Sequence, residues 1–111
     1  YIVIDIDCIL DKKTLSLLRQ SHKIILVSDG SDICNLKAQR LFTVFSILKQ
    51  KDNDTLIDRV YIFYNKFSNK TSKALEIPGA KILGGAPRFE NATTKQIMEQ
   101  LSTMKIFDKV L

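Results

Sequence analysis

Cysteine is scarce in this sequence. Cys8 and Cys34 are the only two among 111 residues. Their separation fits neither a disulfide framework nor a tetrahedral metal site, which sets aside disulfide-stapled folds and zinc modules. Reduced, mostly buried thiols in a cytoplasmic protein are the expectation. Long apolar runs are lacking too; none approaches the ~18 residues of a membrane span. Nor is charge of one sign concentrated anywhere. Seventeen Lys and Arg against twelve Asp and Glu give +5, but the basic residues are spread from Lys12 to Lys109. A dispersed excess reads as solvated surface. It is no direct evidence for nucleic acid; a nucleic-acid face, or a peripheral association with the inner face of a membrane, is the alternative. No internal repeat or low-complexity segment is present.

What is there matches a globular α/β protein. Hydrophobic residues make up 45% and charged residues 26%, the balance of one ordinary domain or part of one. The chain is organised around its first seven residues. Tyr1-Ile2-Val3-Ile4 is an unbroken apolar run, the pattern of a strand buried on both faces of a parallel sheet. It ends in Asp5 and Asp7. In open α/β sheets, ligands sit outside the carboxyl ends of the strands, so Asp5 is a candidate metal or phosphate residue. Because the sequence opens inside a strand that needs neighbours, it is expected to be an internal piece of a longer protein.

The remaining elements follow in alternation. A short helix is predicted around Lys13 to Arg19, with Leu15, Leu17 and Leu18 on its apolar side. A second doubly buried strand covers Lys23 to Ser28, closed by the turn cluster Ser28-Asp29-Gly30-Ser31. A long helix runs from about Asp32 to Lys49, with Cys34, Ala38, Leu41, Phe45 and Leu48 at helical spacing. Lys51 to Asp54 is the expected exposed loop. A third strand, Arg59 to Tyr64, is β-branched and aromatic and ends at Asn65-Lys66. Ser68 to Leu75 is predicted as a short helix. Pro78-Gly79 opens a fourth strand, Lys81 to Gly84. Thr93 and Gln96 fit a capping box for a last helix reaching about Met104, whose inner face is Ile97, Leu101 and Met104. This alternation predicts a three-layer, mostly parallel, Rossmann-like sheet, and four strands are few for one covered on both faces.

The strand ends offer Asp5 and Asp7, Ser28 and Asp29, Asn65 and Lys66, and Pro87 and Arg88. Carboxylates there suit hydrated Mg²⁺, which takes oxygen ligands and keeps several waters. An Asn amide carries both a donor and an acceptor and can read a base edge bidentately. Each residue also has a plainer role: Asp7 as a turn or helix cap, Asn65 as a strand exit that tolerates an unusual backbone angle, Arg88 as solvated charge.

These segments together resemble the carboxyl-terminal half of a MinD/ParA-type ATPase, the P-loop branch with a deviant Walker A motif. Tyr1 to Asp5 resembles the Walker B strand, whose Asp orders the Mg²⁺ shell. Lys23 to Ser28 with its long helix resembles the next strand and helix. Val60 to Lys66 resembles the strand whose terminal Asn contacts adenine. Lys81 to Phe89 resembles the strand ending in a Pro, followed by a loop against the base. The resemblance implies residues 1–111 as the later part of a nucleotide-binding domain that takes ATP and Mg²⁺. Asp5 would then be at the metal, with Asn65, Pro87, Arg88 and Phe89 at the nucleotide. It also implies a homodimer in the intact protein that positions a partner. The phosphate-cradling glycine- and lysine-rich loop, which the family places before the Walker B strand, is absent here. After Asp5 the family has a Pro and a Gly; this chain has Ile6-Asp7-Cys8-Ile9-Leu10. That difference resembles the TadZ/CpaE-like pilus-assembly branch, implies weak or no hydrolysis, and makes a pilus or secretion machine the expected partner.

Two alternatives come from other classes. Asp5 and Asp7 resemble the Asp-x-Asp nucleophile and acid/base of haloacid-dehalogenase-like phosphatases, with Ser28 holding the phosphoryl group. That family follows its second Asp with Gly-Thr, where this chain has Cys8-Ile9. It also needs a late acidic pair, where this chain has only Glu90. A receiver-like signalling module has the right length, but its middle strand should end in a phosphorylatable Asp rather than Asn65.

Overall fold

The structure is a computed structural model that describes residues 1–77 and 79–109, with the backbone alone at 107 and 109. It is an α/β fold built on a three-stranded parallel sheet. In chain order the elements are α1 (Lys12–Gln20), β1 (Ile24–Ser28), α2 (Asp32–Asp52), a 3₁₀ turn (Leu56–Arg59), β2 (Val60–Phe67), β3 (Lys81–Pro87), α3 (Thr94–Thr103) and a final 3₁₀ turn (Ile106–Lys109).

Local chemistry sets the helix ends. The Asp11 Oδ1 accepts from the Thr14 N–H at 2.7 Å and starts α1, so the capping role considered for Asp7 belongs to Asp11. The Ser31 hydroxyl accepts from the Cys34 N–H and starts α2. That helix stops where Asn53 turns left-handed, at φ 53°, a conformation Asn tolerates better than most residues. The predicted Thr93–Gln96 capping box is present in full, each side chain accepting from the other residue's backbone N–H.

The strands lie in the order β1-β2-β3, with β2 central. Alternate residues of β2 feed two separate cores. Val60, Ile62 and Tyr64 join Leu18 of α1, Ala38, Leu41, Phe42 and Phe45 of α2, and Leu56. Phe63 instead joins Leu83 and Ala86 of β3 and Ile106, with Tyr61, Phe89 and Leu101 around them. Phe45, Leu56, Val60 and Ile62 are the largest fully buried side chains. Each contributes roughly 1.5–3 kcal/mol of apolar burial. The Arg59 guanidinium donates to the Arg19 and Ser21 carbonyls, tying the end of α1 to the start of β2.

Several expectations are corrected: β1, expected to be buried on both faces, leaves Ile25 and Val27 exposed, and α2 runs on through Lys51 and Asp52, which were expected in the loop. Tyr1 to Asp7 forms no strand, and Ile2 and Val3 are 90% and 89% exposed. A strand exists only by pairing with a neighbour, and neither sheet edge pairs with this run. Ser68 to Leu75 is not helical. The Ser68 carbonyl takes the N–H groups of Thr71 and Ser72, a single turn that goes no further, and the Ser72 hydroxyl accepts the Ser68 N–H. The last strand runs on through Gly84-Gly85 to Pro87, carried by two register shifts against β2. Finally, no residue of α3 is fully buried and Met104 is exposed. Ile106, just beyond, fills that side of the sheet instead. Cys8 is exposed rather than buried, and Cys34 is half-buried. Of the pair predicted to open β3, Gly79 turns with φ 80°, and Pro78 lies outside the described residues.

Candidate functional site

Parallel strands bring their carboxyl ends to one edge, and the structure builds that edge from three segments. The first is the turn between β1 and α2. Ser28 is buried, and its hydroxyl accepts the Gly30 N–H at 3.1 Å. The Asp29 carboxylate accepts the Ser31 N–H at 2.9 Å. This bond, helped by the Ser31 hydroxyl and by Cys34, holds the Asp29 carboxyl at about 2. Asp29 is therefore ionised at neutral pH, and the start of α2 already has a carboxylate beside it. An incoming phosphate would meet like charge there.

The second segment is the loop after β2, which docks on that turn. The Ser72 hydroxyl donates to the Asp29 carbonyl at 2.8 Å, and the Lys73 N–H donates to the Gly30 carbonyl at 2.8 Å. The Asn35 Nδ2, from the first turn of α2, bridges the Gly30 and Lys73 carbonyls; its Oδ1 is buried without a partner. Gly30 has φ +75°, and a Cβ there would stand 2.9 Å from both the Phe67 ring and the Ser72 Cβ. Only glycine fits so close an approach without movement. The buried Tyr64 hydroxyl accepts the Leu75 N–H and pins the far end of the loop.

The third segment is the paired end of β2 and β3. Between the pairs Tyr64–Gly85 and Phe67–Pro87, β2 has Asn65 and Lys66 where β3 has only Ala86. This is a β-bulge, and bulges re-aim side chains at functional rims. Its extra residue takes a left-handed backbone at Lys66, φ 58°, so the unusual angle falls on Lys66 and not on Asn65. Beside the bulge lies an open concavity of about 520 Å³. Tyr64, Phe67, Gly84, Gly85 and Pro87 contribute to its mostly apolar wall. The Tyr64 and Phe67 rings meet edge to face, 5.2 Å between centroids.

The structure brings some of the sequence-predicted residues together and leaves others apart. Pro87 lines the concavity. Asn65 is exposed at the bulge on the same strand end, and no side-chain hydrogen bond holds its amide among the described residues. Arg88 is exposed just past β3. Phe89 turns to the other face of the sheet and packs against the cluster of Phe63, Leu83, Ala86 and Ile106. Asp5 and Asp7 lie on the exposed amino-terminal run. Among the described residues, no three His, Cys, Asp or Glu side chains gather as a metal site. No helix among them is long and apolar enough to cross a membrane.

Asn35, Phe67 and Ser72 escaped the sequence reading. The signal that would have found them is Gly30, a glycine in a turn that a neighbouring segment has to approach closely. No protein-family model matches the chain, and no curated protein sequence matches it significantly.

Proposed function

We propose that this chain is the base-recognition part of a MinD/ParA-like ATP-binding protein, a P-loop type α/β domain that dimerises in its intact form and positions a partner such as a pilus or secretion assembly. The observation that carries the reading is the strand end. An apolar, aromatic concavity at Tyr64, Phe67 and Pro87 adjoins a bulge that presents the free Asn65 amide. A planar base needs apolar walls and a few directed polar groups, and cavities of a few hundred Å³ are the usual size. Asn65 would accept from the adenine amino group and donate to a ring nitrogen. Arg88, exposed just past the end of β3, would meet the sugar side of such a nucleotide. Phe89 supports this site indirectly, by fixing the segment that follows Pro87.

The phosphate side is not built by these residues. Asp29 repels an anion at the start of α2, and Asp5 belongs to no cluster of three potential metal ligands among the described residues. The residues described here therefore do not fit a complete Mg²⁺ site, and no hydrolytic step is assigned to them.

Equilibrium titration with ATP and GTP, on wild type and Asn65→Ala, tests the reading. Guanine has a carbonyl where adenine has its amino group, so one hydrogen bond becomes a clash of acceptors. Leaving such a group unpaired costs about 1–3 kcal/mol, or about one to two decades in affinity. Wild type should prefer ATP by that margin, and Asn65→Ala should lose the preference while staying folded. An unchanged ATP/GTP ratio in the folded variant removes Asn65 from the site.

A further inference from the structure

The two edges of the sheet are built differently. The outer edge of β3 carries the features that stop a strand from pairing further. It opens on Lys81, breaks register at Leu83-Gly84, and ends in Pro87. The outer edge of β1 has none of them. Ile24-Ile25-Leu26-Val27-Ser28 contains no charge and no proline, and it pairs with β2 in unbroken register. Ile24 and Leu26 face the larger core. Ile25 and Val27 point to the other face and stay exposed, Val27 at 59%. Apolar side chains on both faces mark a strand made for the interior of a sheet. Yet β1 lies at an edge with its outer N–H and C=O groups unpaired by any strand.

The same chain exposes a segment of complementary chemistry. Ile2, Val3, Ile4 and Ile6 are all large, β-branched and exposed. This arm leaves the fold at Leu10, which packs against the larger core, and no strand pairs with it. We infer that the open edge of β1 is a strand-acceptor site, and that its occupant is the amino-terminal arm of a second copy of this chain, added as a parallel strand. Ile2, Val3, Ile4, Ile6, Ile25 and Val27 would leave water together. At roughly 60–120 Å² each on the transfer scale, reciprocal exchange buries about 700–1,400 Å² from side chains alone. The upper part of that span overlaps the lower range of stable interfaces before any backbone is counted. The inference does not depend on nucleotide binding.

A complementation experiment tests it. The arm variant carries Ile2→Asp with Ile4→Asp, and the edge variant carries Val27→Lys. All three positions are exposed, and circular dichroism checks that both variants fold. Sedimentation velocity should show wild type as a dimer or a longer run of copies, and each variant alone as a monomer. An equimolar mixture, with one variant fluorescently labelled, should regain a one-to-one complex, because the intact arm of the edge variant meets the intact edge of the arm variant. Three results overturn the inference. One is a monomeric wild type, which means the arm closes on its own β1 or stays in solvent. Another is an arm variant that still associates, which points to edge-to-edge pairing or to another surface. The last is two monomeric variants that do not complement.

Discussion

Substituting Gly30 by alanine should unfold the strand-end edge before anything else. Gly30 combines a left-handed backbone, φ +75°, with two neighbours already 2.9 Å from where a Cβ would be placed. The backbone term for a non-glycine residue there is about 1–2 kcal/mol. Relieving the clash adds about 1–3 kcal/mol, the usual range for overpacking. The Phe67 ring can swing aside, but the Ser72 Cβ can retreat only by stretching the Ser72 bond to the Asp29 carbonyl. A total of about 2–5 kcal/mol is a large fraction of the ~5–15 kcal/mol that holds a domain of this kind together. Gly79 supplies the control. It has φ +80° but open space around its Cβ position, so Gly79→Ala should cost the backbone term alone. Urea unfolding followed by circular dichroism measures both. With a slope of about 1–3 kcal/mol per molar, Gly30→Ala should lower the midpoint by about 0.3–3 M beyond Gly79→Ala. Equal midpoints for the two variants would refute the claim that the loop after β2 is clamped onto this turn.

Two other outcomes follow from the same geometry. Phe45→Ala empties the centre of the larger core, where Phe45 is wholly buried, and should cost about 3–5 kcal/mol in the same urea assay. The Asp29 carboxyl is held at about 2, below its ordinary value of 3.8, so its stabilising contribution is present above the unfolded value and is lost as pH falls from about 4 to about 2. Asp29→Asn should therefore flatten that part of the acid-unfolding curve, and an identical curve would mean that the Ser31 N–H bond does not form in solution.

Elements with a strong local signal were legible in the sequence. The runs Ile24 to Val27 and Val60 to Phe63 were legible as strands from their successive β-branched and apolar residues, although β1 buries only one of its two faces. The helices α1 and α2 follow from apolar spacing, and the start of α3 from the Thr93–Gln96 box. Where the outcome depended on a partner, the local pattern misled. Tyr1 to Ile4 has strand composition, but composition cannot supply a neighbour to pair with. Ser68 to Leu75 reads as helical until Ser72 and Asn35 compete for its backbone, and those contacts reach across to another strand end. Gly84-Gly85 reads as a stop, whereas β3 passes through it because Gly84, at φ +147°, tolerates the register shift. Asn65 and Pro87 were legible as strand-end residues. Their division from Phe89, which packs on the opposite face, was set by a bulge that leaves no mark in hydrophobic periodicity.

The most direct test of the nucleotide reading maps the base on the protein. Amide spectra of ¹⁵N-labelled chain would be recorded during titration with AMP and, separately, with GMP. Monophosphates put the question to the base, since the phosphate side is not built here. The account predicts AMP-dependent shifts confined to the amides of Tyr64 through Phe67, Gly84 through Ala86, and Arg88, with GMP producing smaller shifts at the same amides. Shifts of equal size for the two nucleotides, or none at that strand end, would contradict it.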